Sequence, residues 1–307
     1  METTINKEDL YAAATEEEKR GNEFGRPSVG YWKDAWNRLK KDKMACAGLI
    51  IITVIALFAI FGPIIFQYSY DKQDLYNANQ WPDSEHIFGT DSLGRDIFIR
   101  TMYGARISLS IGIVASSISL VIGTVYGGIS GLCGGKIDIF MMRIVDIIYS
   151  IPSIIYVILI MVIVGPGLKS IFISFGISFW IGMARIVRGE ILKLKQEEFI
   201  LAAIVLGSSK TRILFRELLP NAMGQIIVSL TLAIPNAIFT EAFLSFVGLG
   251  VAAPKASWGV LVNQSVDSLQ VFPYQLFFPS AAITITIAGF NFLGEGLRDA
   301  LDPKLRK

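Results

Sequence analysis

Histidine is almost missing from this chain: His86 is the only one in 307 residues. A single histidine excludes a multi-histidine metal site and the hydrolytic chemistry built on one. Its place in His86-x-Phe88-Gly89-Thr90-Asp91 predicts a role in folding a loop. Cysteine is equally scarce. Cys46 and Cys133 lie in or beside apolar segments, which predicts two buried thiols and excludes a disulfide framework. Charged residues make up only 18%, and 28 Lys and Arg nearly balance 26 Asp and Glu, so there is no basic excess for nucleic acid. No G-x-x-x-x-G-K-[ST] phosphate loop and no G-x-S-x-G nucleophile elbow occur. The chain therefore has no recognisable ATP site or hydrolase site of its own. The first 30 residues are polar and hold no apolar run, so no cleavable signal peptide is expected. Internal repeats and low-complexity segments are also lacking.

What the chain does have is hydrophobicity. Apolar residues reach 52% and mean hydropathy is +0.53. Several runs reach the roughly 20 residues that cross a bilayer core. The runs predict an all-α integral membrane protein with six transmembrane helices. These fall at about 44–66, 107–132, 137–164 (kinked at Pro152), 168–187, 218–249 (bent at Pro235) and 276–292. Residues 1–43 read as a cytosolic tail ending in an interfacial helix, where Trp32 and Trp36 stand among five cations. Residues 44–300 form the membrane domain, with an external segment at 67–106, and 301–307 form a cytosolic tail. With both termini inside, 22 of the 28 Lys and Arg fall on the cytosolic side. The six outside are Lys72, Arg95, Arg100, Arg106, Lys169 and Lys255. This bias predicts cytosolic N- and C-termini.

Within the spans, Gly123, Gly127, Gly131 and Gly135 recur every four residues and bare one helix face for close packing, either in the chain or against a partner. Asp138, Arg143 and Asp146 share one helix, and the i,i+3 spacing suggests an Arg143–Asp146 pair. Such charges form either a structural ion pair or a lining near the cytosolic mouth. Glu241 is a carboxylate deep in an apolar span with no sequence-local partner, so it faces the bundle interior or a watery cavity. Together with Asn236 and Ser245 it is a candidate for the translocation path, with a structural role as the alternative. Trp258, in the loop 250–275, is expected to anchor at the membrane interface.

The chain is organised around Glu197 to Asn221, which overlaps an expected cytosolic coupling loop at 188–217. It reads as two short helices. The first opens on two acids, Glu197 and Glu198, and breaks at Gly207. Ser208 or Ser209 caps the second, and Pro220 opens a new helix. Phe199, Ile200, Ala203 and Ile204 form an expected apolar face.

The pattern Ala202-Ala203-x3-Gly207 followed by Arg216 and Leu218-Leu219-Pro220-Asn221 resembles the EAA loop of ABC-importer permeases. Phe88-Gly89-Thr90-Asp91-x2-Gly94-Arg95-Asp96, Tyr103-Gly104-Ala105-Arg106 and Leu293-Gly294-x-Gly296-Leu297-Arg298-Asp299-x-Leu301-Asp302-Pro303 narrow the resemblance. They point to the C-type permease subunit of the oligopeptide, dipeptide and nickel importer family. Leu201 stands where that family usually has Glu, and Glu217 where His is common. The resemblance implies a type I ABC importer permease fold in the cell inner (cytoplasmic) membrane. It implies a transport subunit that is not an enzyme, with no cofactor of its own, and with ATP and Mg held by separate subunits. Its implied partners are a second, related permease, two ABC ATPase subunits, an external solute-binding protein and a peptide substrate. It further implies that Glu198, Phe199, Ala202, Ala203, Gly207, Arg212, Arg216 and Pro220 belong to the ATPase-coupling element. Nickel or glutathione are alternative cargoes. A self-sufficient channel or secondary carrier is the alternative from a different class, although neither paired intramembrane acids nor an inverted repeat is seen. An intramembrane enzyme is a third, for which no nucleophile–base pair is seen.

Overall fold

The computed structural model describes residues 30–66 and 69–302. The predicted tail at 1–29 and the cations Lys304, Arg306 and Lys307 lie outside the described residues. Among the described residues the main helices are α1 Tyr31–Leu39, α2 Lys43–Ile65, α3 Ile97–Cys133, α4 Gly135–Ser150, α5 Ser153–Val164, α6 Leu168–Ser178, α7 Trp180–Leu194, α8 Glu198–Val205, α9 Lys210–Phe246, α10 Trp258–Ser265 and α11 Tyr274–Leu301. Among the described residues α2, α3, the joined α6–α7, α9 and α11 are each long and apolar enough to cross a membrane. The pair α4–α5 makes a sixth crossing if taken as one span.

The bend in that pair is sharper than a kink. Its two halves meet at 78°. Pro152 drives Ile151 out of helical geometry, to φ −94° and ψ 122°, so the helix ends and restarts. Other spans outrun the apolar windows. α3 starts at Ile97, ten residues before the expected start, α6–α7 extends to Leu194, and α11 extends to Leu301. Hydropathy sees only the bilayer core, whereas these helices continue through the interfaces as amphipathic turns.

The flanking motifs have structural reasons. In Phe88–Asp96, Asp91 accepts from the amides of Leu93 and Arg95, and Gly94 turns at φ +69°. Asp96 then caps α3 by accepting from Ile99 N at 2.9 Å. Its other oxygen meets His86 Nδ1 at 2.8 Å, so His86 does help fold this loop. In Tyr103–Arg106, Gly104 admits Trp258 and Arg106 serves α2. Pro63 lacks an N–H, so the Ala59 carbonyl has no donor from its own helix. Arg106 supplies one at 2.5 Å and reaches the Ile60 carbonyl at 2.7 Å.

The glycine stripe packs within the chain. A Cβ on Gly123, Gly127 or Gly131 would run into α7 at Met183, Ala184 and Ile191 respectively. Gly135 is the exception: it faces open space and starts α4 at φ +54°. Trp258 corrects the expectation of an interface anchor. It is 1% exposed, and its indole N–H donates to the Thr101 carbonyl at 2.9 Å. The apolar loop around it tucks into the bundle. Cys46 and Cys133 are half-buried free thiols, where two buried ones were expected. On α1, Trp32 and Trp36 are exposed while Ala35 and Leu39 pack inward, the division an interfacial helix requires.

Candidate functional site: the loop between α7 and α9

The site begins where α7 ends. Lys195 reaches across to the end of α3 and donates to the carbonyls of Gly131 and Leu132, the latter at 2.8 Å. A cation on a helix C-terminus is favourable there. Glu197 then flips to extended backbone and α8 begins, with Glu198 in its first turn.

One face of α8 belongs to the chain itself. Ile200 is fully buried in a cluster with Val187 and Ile191 of α7 and Ile213, Leu214 and Leu218 of α9, and Ala203 packs against it. This corrects the expected apolar face, because Ile200 and Ala203 turn inward. The outward apolar residues are Phe199, Leu201, Ile204, Val205 and Leu206, with Val205 86% and Leu206 84% exposed. Glu198, Ala202, Lys210, Arg212, Arg216 and Pro220 are exposed as well. A contiguous apolar patch with a polar rim marks a contact surface. Leu201 sits in the patch at the position where a Glu was usual.

Two hydrogen bonds close α8. Gly207 N donates to the Ile204 carbonyl at 2.9 Å and Ser208 N to the Ala203 carbonyl at 3.0 Å. That double closure requires a left-handed residue between them, and Gly207 supplies it at φ +77°. Ser209 then caps α9, its Oγ accepting from Arg212 N at 3.3 Å.

The expectation of a second short helix ending at Pro220 is corrected as well. α9 runs unbroken from Lys210 to Phe246, and Pro220 lies inside it. The turn before the proline, Ile213–Leu218, widens to π-helical geometry. A wide turn absorbs the proline ring and its missing donor. Asn221 Nδ2 adds a side-chain bond to the Glu217 carbonyl at 2.5 Å. The loop is thus rigidly continuous with a helix about 55 Å long, at 1.5 Å per residue.

Above the loop, α4 is tied to α7 by charge. Asp138 takes two bonds from Arg188, at 2.5 and 2.6 Å, and one from Ser130. Asp146 pairs with Arg185 at 2.8 Å, and Arg185 also lies over the Tyr149 ring. Arg143 takes no part in either pair, which corrects the expected Arg143–Asp146 contact. The true partners are 39 and 50 positions distant in sequence, beyond the reach of helical spacing.

The three path candidates separate. Glu241 is fully buried. Ser245 Oγ donates to it at 2.6 Å and Ser108 Oγ at 3.3 Å, and Ser257 stands beside Ser245. The cluster joins α3, α9 and the start of α10, since Trp258 N donates to Ser108. Asn236, by contrast, is exposed and lines a groove of about 410 Å³ between α7, α9 and α11. Glu241→Gln keeps the size and one acceptor, and its NH2 can donate to a serine oxygen, so it is expected to leave assembly and melting temperature close to wild type. Glu241→Ala strands the hydroxyls of Ser245 and Ser108 and is expected to cost about 1–3 kcal/mol. Complex yield and thermal melting check this. A Gln variant as unstable as the Ala variant would show that the charge itself is needed.

The comparisons with known proteins agree with one another. Residues 120–307 match the family model "Binding-protein-dependent transport system inner membrane component", and residues 30–82 match "N-terminal TM domain of oligopeptide transport permease C". The chain is 52% identical over 284 residues to the oligopeptide transport system permease protein OppC of Bacillus subtilis, covering 92% of this chain and 93% of the relative. It is 48% identical over 301 residues to the dipeptide transport system permease protein DppC of the same organism, covering 98% and 94%. Against OppC of Escherichia coli K12 the identity is 45% over 277 residues, covering 90% and 92%. Among solved structures, the inward-facing MetNI methionine ABC transporter matches with TM-score 0.56 at 20% identity, over 67% of this chain and 96% of that one. That likeness concerns the fold: a helical ABC importer permease. A multi-span bundle with an apolar-tipped loop, matched by its own family model over most of its length, belongs to the binding-protein-dependent transport system inner membrane component family.

Proposed function

We propose that the chain is one of two related permeases in an ATP-driven importer of oligopeptides or dipeptides, with its α7–α9 loop docked on a separate ATPase. The observation that carries this is the apolar tip at Val205 and Leu206, held outward by a core that includes both neighbouring spans. A push on α8 is transmitted to α7 and α9 together, because Ile200 packs between them. Closure of the ATPases would then tilt both spans and exchange the side on which the path is open. ATP and Mg belong to those partner subunits, and an external solute-binding protein delivers the cargo. The cation bias supports cytosolic termini and a cytosolic loop, in the cytoplasmic membrane. The names of the similar proteins favour peptide over nickel or glutathione.

The test is purification of the tagged chain from its own membranes. An ATPase and a second permease should co-purify, and the complex should import peptide with ATP hydrolysis. The isolated chain should neither bind nor hydrolyse ATP in calorimetry and turnover assays. Micromolar ATP binding with turnover by the chain alone, or peptide transport without any partner, would refute this reading.

A further inference from the structure

The groove between α7, α9 and α11 has a composition unlike the rest of the spanning surface. α9 presents Gln225, Ser229 and Asn236 along it, spaced by four and seven residues and so on one helix face. Ser119 of α3 adds a hydroxyl and Arg298 of α11 a cation, and because α11 meets Gly224 at Leu301 and Leu232 at Gly294, Arg298 lies at the end nearer Gln225. Several polar side chains elsewhere in the spans are tied up: Asp138 with Arg188, Glu241 with its serines, Thr231 and Thr286 with carbonyls of their own helices. Gln225, Ser229, Asn236 and Arg298 differ. Among the described residues no side chain or carbonyl pairs with their polar atoms. Polar groups left open on membrane-crossing helices face a watery cavity or a partner.

We propose that this groove holds the cargo in transit, by binding the main chain of an extended peptide with its terminal carboxylate toward Arg298. This deepens the importer reading above and rests on it. Neutral amides and hydroxyls alternate with Met183, Val228, Leu232 and Ala233. Such a lining satisfies peptide N–H and C=O groups without reading side chains, which suits cargo of varied sequence. The length agrees. Gln225 to Asn236 spans about 16 Å of helix, which an extended chain of about five residues covers at roughly 3.3 Å each. The volume lies within the roughly 300–1,000 Å³ of ligand sites. The only cation in the lining lies at one end, so it selects an anionic terminus and sets a direction. Glu295 and Asp299 flank Arg298 on α11 but do not line the groove.

The test uses the whole transporter in proteoliposomes with its binding protein. The peptides are an alanine pentapeptide with a free carboxylate and its C-terminal amide. Arg298→Gln is expected to lower uptake of the free acid by about fivefold or more, the loss of one charge-assisted contact. Uptake of the amide should change less than about twofold, relative to wild type with each peptide. In parallel, a benzophenone label on Asn236→Cys, with Cys46→Ser and Cys133→Ser, should photocross-link to radiolabelled pentapeptide during turnover. Equal losses for both peptides, or no loss, with labels landing on lipid, would overturn the proposal. So would labels landing on the partner permease together with reduced complex yield, since the groove would then seat that subunit. A wild-type complex that imports no peptide would instead sink the importer reading itself.

Discussion

Gly207→Val is expected to leave the chain inserted and paired with its sister permease while cutting uptake per ATP hydrolysed roughly tenfold, the equivalent of about 1.4 kcal/mol. The reasoning is local. Gly207 sits at φ +77°, a conformation that a β-branched residue resists strongly. A Cβ there would meet nothing within 4 Å, so no clash contributes and the whole effect is backbone strain. The strain is relieved by opening the two closing bonds at Ala203 and Ile204. Opening them re-aims Val205 and Leu206 relative to α9, although the buried anchor Ile200 stays in place. Gly207→Asn is the control, because Asn tolerates left-handed backbone, and it should retain most of the coupling. Protease protection checks insertion. Uptake and ATPase rates in vesicles give the ratio. Ala203→Trp should fail for a different reason: Ala203 packs inward, so a large ring overfills the chain's own core and should cost about 1–3 kcal/mol in addition to any effect on docking.

The second large effect is expected at Asp138. Its carboxylate is 10% exposed and holds both branches of the Arg188 guanidinium, whose side chain is 33% exposed. Asp138→Ala leaves that cation uncompensated beside a membrane. Breaking one partner of a buried pair costs about 3–5 kcal/mol, and the partial exposure of Arg188 places this case near the lower value. α4 should loosen from α7, held then by the Asp146–Arg185 pair and by Val145, Met142 and Ile148 packed on Trp180, Ile181 and Ala184. The expected readout is a lowered melting temperature and a loss of assembled complex. Asp138→Asn should be intermediate, since the amide keeps one acceptor. The exchange Asp138→Arg with Arg188→Asp should recover part of the loss. If Asp138→Ala assembles normally and only transport falls, the pair acts in the path and not in holding α4.

Much of this architecture is legible in residue order. Long apolar runs give the spans, Pro152 gives the break, and Gly207 and Ser209 give the end of α8 and the start of α9. What is not legible is whatever depends on which elements meet. The Arg143–Asp146 expectation followed helical spacing, but Arg185 arrives from another span to pair with Asp146, and Arg188 to pair with Asp138. Trp258 reads as an interface residue because it lies in a loop, and only the fold shows that Gly104 opens a slot for it. The apolar face of α8 was assigned by periodicity alone, which cannot tell the side facing the chain's own core from the side facing out. Val205 and Leu206 carry a signal of their own, two large apolar residues just before a glycine stop. The widened turn before Pro220 is hidden because a proline in a helical pattern ordinarily signals a start or a stop.

The most direct test of the central claim is cross-linking from the tip of the loop in the intact transporter. Val205→Cys and Leu206→Cys, each with Cys46→Ser and Cys133→Ser and each carrying a benzophenone label, are irradiated in native membranes. Ile163→Cys, on an exposed position of α5, serves as reference. The account predicts that both loop labels join the chain to an ATPase subunit and that the reference label does not. Labels at 205 and 206 that reach only lipid or the sister permease, in complexes that still import peptide, would contradict it.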